Sequence, residues 1–207
     1  MDTATPSDLW PAIRAERAAL AADLADLTDA QWASPSLCRD WTVEEVVAHL
    51  TAAASIGRWR WIASMLGARF DPAVHNARRL AEHRGATPAE TLERFRAVVD
   101  STVAPSGHTA AWLGEVVVHG EDVRRPLGLP SPTTVAMATA VAEFYASRDF
   151  AVPSRSAVAG LRVEATDGPF ATGAGPLVAG PTLSLVMAMA GRRTHLADLT
   201  GPGASHM

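Results

Sequence analysis

Cysteine is scarce in this chain of 207 residues, which contains only one, Cys38. A single cysteine excludes an intramolecular disulfide and any zinc finger built from several cysteines. The sequence also lacks a run of about 18 or more apolar residues, so no segment is predicted to span a membrane. Its first residues, MDTATPSDLW, lack the basic and apolar regions of a signal peptide. We therefore expect a cytoplasmic protein.

Positive charge is also limited. All 18 basic residues are arginine, and the 22 acidic residues outnumber them, which gives a net charge of −4 at pH 7. No block of like charges occurs, whereas binding to nucleic acid needs a concentrated basic face. Nucleic acid is therefore excluded as the main partner. An apolar fraction of 48% is sufficient for a buried core, so the bulk of the chain is predicted to be folded.

Apolar residues recur at helical spacing over the first three-quarters of the chain. Four long helices and a fifth are predicted, over residues 7–26, 43–66, 87–99, 109–125 and 131–150. Thr28, Thr42 and Thr87 are each followed three residues later by Gln or Glu, the spacing of a capping box. Residues 67–85 are predicted to be mainly loop with some helix. The pattern indicates a mainly α fold, an antiparallel four-helix bundle with one additional helix.

After Pro153 the helical spacing gives way to shorter segments. GLRVEATDGPFATG alternates apolar and polar residues around Asp167, Gly168 and Pro169, which predicts a β-hairpin. Residues 181–190 are predicted to form a short helix. We therefore predict two regions, the bundle with its fifth helix over residues 1–153 and a small α/β region over residues 154–207, packed on the bundle.

Two histidines and a glutamate lie on apolar helix faces. Glu115 and His119 are four residues apart in the segment EVVVHG, so both side chains lie on one face of a helix. A charged glutamate among three valines is costly unless something compensates its charge, and a divalent cation would do so. His49, in the apolar stripe of the second helix, is the best-placed third ligand.

His49, Glu115 and His119 are therefore predicted to bind one metal ion, since two histidines and a carboxylate form a recurring open zinc site. Zinc is the expected metal, and nitrogen and oxygen donors also suit nickel or iron. The alternative is that the histidines are hydrogen-bonded core residues, which is the commoner role of a helical histidine.

Three charged residues follow in the same predicted helix. Asp122 comes three residues after His119 and is a candidate acceptor for the second nitrogen of that imidazole, or else an exposed carboxylate at the helix end. Arg124 and Arg125 are candidates for binding a substrate carboxylate through the guanidinium fork. The alternative is that they neutralise the C-terminus of the helix.

The segment PSLCRDW, before the second helix, is irregular and contains Cys38. Cys38 has no partner cysteine, so we predict a structural role for it rather than a redox role. Trp32 and Trp41 flank the segment and are predicted to be core residues or loop anchors.

Two segments, WASPSLCRDWTVEEVVAHL and LGEVVVHGEDVRRPLG, resemble the DinB-like helical-bundle proteins of actinobacteria. More narrowly, they are similar to the mycothiol-dependent maleylpyruvate isomerase family. The tail, GLRVEATDGPFATGAGPLVAGPTLSLVMAMAGR, resembles the C-terminal region of that family but is shorter than in the isomerase for which the family is named. The metal ligands of the family correspond to His49, Glu115 and His119.

The resemblance implies a metal-dependent enzyme with mycothiol as its cosubstrate. Three protein ligands leave coordination positions open, and a thiol that enters one of them is bound as the thiolate. That thiolate would attack a small electrophilic substrate, which we expect to carry a carboxylate. Isomerisation then means addition to a cis double bond, rotation and elimination, whereas transfer means release of the adduct. The sequence does not choose between an isomerase and a transferase.

Two other functions stay open at this point. One is a bundle that binds a metal or a small ligand without catalysis, which the shorter tail favours. The other is a hydrolase that uses a metal-bound water, for which Glu121 and Asp122 are the only candidate bases. Turnover that depends on a thiol would separate the enzyme from the binding module, and turnover without a thiol would indicate the hydrolase.

Overall fold

The structure is a computed structural model that describes residues 8–207. The chain is mainly helical with one small three-stranded sheet, which confirms the predicted fold class. It forms two compact units that divide between Ser131 and Pro132; we call them the bundle unit and the C-terminal unit. Within the described residues, each helix is too short or too polar to cross a lipid bilayer.

Over residues 8–131, the bundle unit contains seven α-helices. They are α1 (Trp10–Asp23), α2 (Asp29–Trp32), α3 (Val43–Ser55), α4 (Arg58–Gly67), α5 (Pro72–His83), α6 (Pro88–Arg96) and α7 (Thr109–Leu127). A short 3-10 helix, Leu24–Asp26, continues α1.

Four of these helices make up the bundle. α1 and α3 each pack against both α6 and α7, so the four helices enclose one core. Apolar side chains from all four are completely buried there, among them Ile13, Leu20, Val47, Phe95 and Leu113. Burial of such side chains is the main favourable term in folding. α5 packs against α3 and α4.

Threonine side chains determine where three of the helices begin. Thr28 and Thr42 each accept a hydrogen bond from the backbone N–H three residues later, and the Gln31 and Glu45 side chains accept one from the threonine N–H in return. The capping boxes predicted at Thr28 and Thr42 are therefore confirmed. At the start of α6, Thr87 accepts the corresponding bond, but the Glu90 side chain accepts from the N–H of Ala86 instead of that of Thr87, so the third box is incomplete. Each bond satisfies an N–H group that a helix start would otherwise leave unpaired.

Two predictions for the segment between α3 and α6 are wrong. The helix predicted over residues 43–66 is interrupted, because Ile56 adopts an extended conformation with φ −101° and ψ 112° and the extended Gly57 then begins α4. The segment predicted as mainly loop contains α5, which Asp71 caps by accepting hydrogen bonds from two backbone N–H groups. An acidic cap followed by Pro72 is a recognised helix start, and the arginine-rich composition obscured it.

The C-terminal unit combines three α-helices with the sheet. The helices are α8 (Val135–Ser147), α9 (Ser154–Ala157) and α10 (Thr182–Met189), and the strands are β1 (Arg162–Ala165), β2 (Ala171–Gly173) and β3 (Leu177–Gly180). Two 3-10 helices, Arg193–Asp198 and Ala204–His206, follow α10.

β1 is the central strand of the sheet, whose order is β2-β1-β3. It runs antiparallel to β2, with Val163 opposite Thr172, which confirms the predicted hairpin. It runs parallel to β3, with Val163 also opposite Val178, a pairing that the sequence did not predict.

The division of the chain falls earlier than the predicted boundary after residue 153. The reason is α8, which packs mainly against α10 and so groups with the C-terminal elements. Val141 and Ala142 of α8 and Leu185 and Met187 of α10 are completely buried. The fifth helix therefore belongs to the C-terminal unit rather than to the bundle.

A buried arginine joins α7 to α1. The Nε of Arg124 donates to Oδ2 of Asp23 at 2.7 Å, and its Nη1 donates to Oε2 of Glu16 at 3.3 Å. Gly120 provides the space, because a Cβ there would lie 2.8 Å from Nη1. Since Arg124 is completely buried and binds two carboxylates of the protein itself, the predicted role of Arg124 in substrate binding is wrong.

Replacing Arg124 by Leu leaves the buried Glu16 carboxylate and that of Asp23 without their cation. We expect the free energy of unfolding, measured by urea titration, to fall by about 3–5 kcal/mol. The control is Arg96→Leu, which removes an exposed ion pair with Glu93 and is expected to cost at most about 1 kcal/mol. Equal losses in the two variants would contradict a structural role for Arg124.

Candidate metal centre

Two helices of the bundle bring three predicted ligands together. His49 lies on α3, and Glu115 and His119 lie one turn apart on α7. Residues four apart on a helix share one face. Because α3 and α7 pack against each other, the histidine of one helix meets the Glu-His pair of the other.

The three side chains meet at ligand distances. Nε2 of His49 lies 2.7 Å from Oε1 of Glu115, and Nε2 of His119 lies 3.8 Å from the same oxygen. The two imidazole rings meet edge to face, with centroids 4.9 Å apart and an angle of 70° between their planes. Donors that share one ion at bond lengths near 2 Å lie about 3–4 Å from each other. The residues present therefore fit a single divalent ion with little rearrangement.

The centre is accessible as well as compact. The exposed fractions of the side chains are 17% for His49, 21% for Glu115 and 12% for His119. A site that must admit small molecules needs such an opening, whereas a purely structural metal site is closed by four protein ligands. The geometry is that of an open site with three protein donors.

Asp122 determines which nitrogen of His119 faces the other donors. Its side chain is completely buried, and Oδ2 accepts a hydrogen bond from Nδ1 of His119 at 2.9 Å. Nε2 of His119 therefore faces Glu115. A carboxylate in this position fixes both the tautomer and the orientation of a ligand imidazole.

The same contacts change the protonation of His119. Burial disfavours its charged form, but hydrogen bonds to Asp122 and Cys38 and the charges of Glu115 and Asp122 outweigh burial and raise the pKa of His119 to about 10. Without a metal, the imidazole is therefore protonated at neutral pH. The cluster favours a positive charge at this point, and a cation can replace the proton.

The loop before α3 is hydrogen-bonded to a carbonyl of α7 that a proline leaves free. Pro126 has no N–H, so the carbonyl of Asp122, four residues earlier, lacks its helical partner. The backbone N–H of Leu37 donates to that carbonyl at 3.0 Å instead. The hydrogen bond holds residues 35–41 against the part of α7 that carries His119.

Two residues of this loop lie at the centre. The Trp41 ring packs against both imidazoles, with centroids 4.8 Å from that of His49 and 6.1 Å from that of His119. Cys38 lies within 4.8 Å of ligand atoms of His119 and Asp122. The sequence predicts that Trp41 is a core residue or loop anchor and that Cys38 is structural. The one available signal was that PSLCRDW directly precedes the helix of His49.

Other candidates lie away from the three donors. Glu121, considered as a base, is buried among groups that include Arg124, Glu16 and Ser131, and burial raises its pKa. Arg125 is exposed. It follows His119 by six residues, a rotation of about 600° that turns its side chain roughly 120° away from the face of His119. A carboxylate-binding role for Arg125 stays a prediction.

The sequence matches a family model described as the mycothiol maleylpyruvate isomerase N-terminal domain over residues 13–124, more than half of the chain. The matched range contains His49, Glu115 and His119. Among curated proteins, none matches the sequence at a significant level.

Two crystal structures are similar in fold. One is a histidine-to-alanine mutant of the mycothiol-dependent maleylpyruvate isomerase, with a TM-score of 0.61, 18% identity and coverage of 94% of this chain and 92% of that chain. The other is the mycothiol-dependent maleylpyruvate isomerase, with a TM-score of 0.57, 16% identity and the same coverage. At these identities the similarity establishes the fold alone.

Replacing Asp122 by Asn removes the charge and weakens the hydrogen bond that favour protonated His119. We expect the pKa of His119, measured by imidazole NMR on the metal-free protein, to fall from about 10. Its raised pKa stabilises the folded state fully below the ordinary value of 6.5, and this stabilisation is lost as the pH rises through about 10. The free energy of unfolding should therefore fall more steeply over that interval in the wild type than in the variant.

If His119 of the wild type titrates near 6.5, the coupling to Asp122 is contradicted.

Proposed function

The chain belongs to the mycothiol maleylpyruvate isomerase N-terminal domain family, and we propose that it is a metal-dependent enzyme that uses mycothiol as a cosubstrate in a thiol transfer or isomerisation. The observation that carries this proposal is the convergence of Nε2 of His49, Oε1 of Glu115 and Nε2 of His119 in an accessible part of the bundle. Its second substrate is a small electrophile with a carboxylate.

His49, Glu115 and His119 would hold the metal ion. Two imidazoles and one carboxylate suit zinc, and nickel or iron are further candidates because they favour the same donors. When bound, the ion supplies a thiol in its ionised form at neutral pH, at which a free thiol is mostly protonated. The proposal thus needs no dedicated protein base to activate the thiol.

Neighbouring residues prepare the donors for this task. Asp122 holds the proton on Nδ1 of His119, so that Nε2 is the nitrogen presented to the centre. Trp41 packs against both imidazoles and restricts their rotation. Rigid support of this kind is what keeps a reactive site at its productive geometry.

Metal binding tests the ligand set. We expect His49→Ala, His119→Ala and Glu115→Gln each to lower the bound zinc measured by elemental analysis, because each removes one of three donors. The exposed His108→Ala is the matched control and should keep the wild-type metal content. Calorimetry at pH 7 in buffers of different ionisation enthalpy should also detect proton release on zinc binding, since His119, with a pKa of about 10, must lose its proton.

Full metal occupancy in all three ligand variants would place the site elsewhere. Zinc binding without proton release would contradict the protonation of His119 in the metal-free protein.

Activity tests the reaction. Zinc-loaded protein, mycothiol and a panel of cis-unsaturated carboxylic acids should give isomerised product or thiol adduct, detected by mass spectrometry, only when metal and thiol are both present. Asp122→Asn is expected to lower the rate about 10–100-fold because it releases the orientation of His119. The ligand variants should lose more activity than Asp122→Asn.

The alternatives predict different outcomes. Equal turnover of the substrate with and without thiol, at full metal loading, would overturn the proposal in favour of a metal-dependent hydrolase. Bound metal and thiol without turnover of any member of the panel would favour a binding module.

A further inference from the structure

A small cavity lies beside the candidate metal centre, inside the bundle unit. The space not filled by atoms in and around it, open solvent included, is about 260 Å³. Leu50, Ala53, Trp112 and Val116 contribute apolar walls, and the charged residues that line it are Arg17 and Glu115. The cavity therefore has a carboxylate of the metal centre and a cation in an otherwise apolar space.

The cavity extends from the metal centre along the bundle. Ala53 follows His49 by four residues on α3, and Trp112 precedes Glu115 by three residues on α7. Both residues are thus one helical turn, about 5.4 Å, from a ligand and on the same face of its helix. A small molecule in the cavity can reach the metal centre with one end.

Arg17 of α1 is an unusual residue to find there. It is only 6% exposed, and its Nη1 donates to the carbonyls of Val98 at 3.3 Å and Ser101 at 2.8 Å. Throughout residues 8–207, no carboxylate forms an ion pair with it. Arg124 is the contrasting case, because two carboxylates of the protein neutralise it.

A buried cation that only carbonyl groups contact is costly for the folded protein. Burial, with the neighbouring charge of Arg14, lowers the pKa of Arg17, which reports the same unfavourable environment. An anion in the cavity would offset this cost. A guanidinium that uses one nitrogen for backbone carbonyls keeps other donors, which match the planar geometry of a carboxylate.

We infer that Arg17 binds the carboxylate of the electrophilic substrate in this cavity, with the carbon chain of the substrate lying between Arg17 and the metal centre. The inference rests on the proposed function and adds to it the residue that binds the carboxylate of the substrate. The apolar walls suit the carbon chain, and a single arginine suits one carboxylate better than a phosphate, whose higher charge calls for more donors. Arg17 takes the role that the sequence predicted for Arg124.

The test measures binding to the full-length, zinc-loaded protein without thiol. Calorimetry compares crotonate, a short unsaturated carboxylate, with crotonamide, a neutral molecule of nearly the same shape. Arg17→Met should weaken crotonate binding about tenfold or more and leave crotonamide binding unchanged, because only crotonate can use the charge. Arg17→Lys should retain part of the preference for crotonate. Arg96→Met, which removes an exposed arginine, is the control and should bind both molecules as the wild type does.

If Arg17→Met does not fold, a second variant provides an alternative test of the cavity. Ala53→Leu fills the cavity and leaves Arg17 in place, and it should also weaken crotonate binding about tenfold. Circular dichroism and metal content check the fold of each variant. Unchanged crotonate affinity in folded Arg17→Met, or in folded Ala53→Leu, would overturn the inference. Inorganic phosphate that binds more tightly than crotonate and loses that affinity in Arg17→Met would overturn the assignment of a carboxylate.

The role of Arg17 and the proposed function are tested independently of each other. No thiol is present, and binding rather than turnover is measured. If the wild-type protein shows no preference for crotonate over crotonamide while its thiol-dependent turnover is intact, the role of Arg17 alone is overturned. Selective crotonate binding without any thiol-dependent turnover would support the cavity and count against the enzyme.

Discussion

The burial of charge on α7 is the constraint on which the bundle unit depends. This helix carries ionisable side chains into a core that is otherwise apolar, where a charge without a partner is costly. Two of them pair with side chains of other helices, since Glu115 meets His49 of α3 and Arg124 meets Glu16 and Asp23 of α1. His119 pairs with Asp122 of α7 itself. Apolar packing favours a compact bundle, and the pairs between helices specify which helices become neighbours and in what register.

The two charged clusters of α7, one around Arg124 and one around His119, differ in how their charge is compensated. Around Arg124, carboxylates of the protein compensate the buried cation, and a substrate could not replace them without exposing buried charge. Around His119, three donors are partly exposed and positive charge is favoured, as the raised pKa of about 10 indicates. Similar residue types therefore form a structural ion-pair cluster near the C-terminal end of α7 and a site that can bind a cation nearer the middle of the helix.

Local sequence patterns correctly predicted the features that depend only on interactions between neighbouring residues. The capping boxes at Thr28 and Thr42 and the four-residue spacing of Glu115 and His119 depend only on neighbouring residues, and the structure has them as predicted. The approach of Trp41 to the imidazoles depends on a hydrogen bond across 85 positions, from Leu37 to the carbonyl that Pro126 leaves free, so no nearby pattern indicates it.

The partners of the arginines were also not predictable from neighbouring residues. Arg124 is predicted as a substrate ligand because it follows the metal motif, whereas the carboxylates that bind it come from α1, about a hundred positions earlier.

The Thr42 capping box has an effect that reaches beyond the start of α3. His49 follows Thr42 by seven residues, and each residue inserted or deleted between them would turn its ring by about 100°. An insertion or deletion between cap and ligand would therefore take Nε2 of His49 away from Oε1 of Glu115, so the length of this short segment is part of the site.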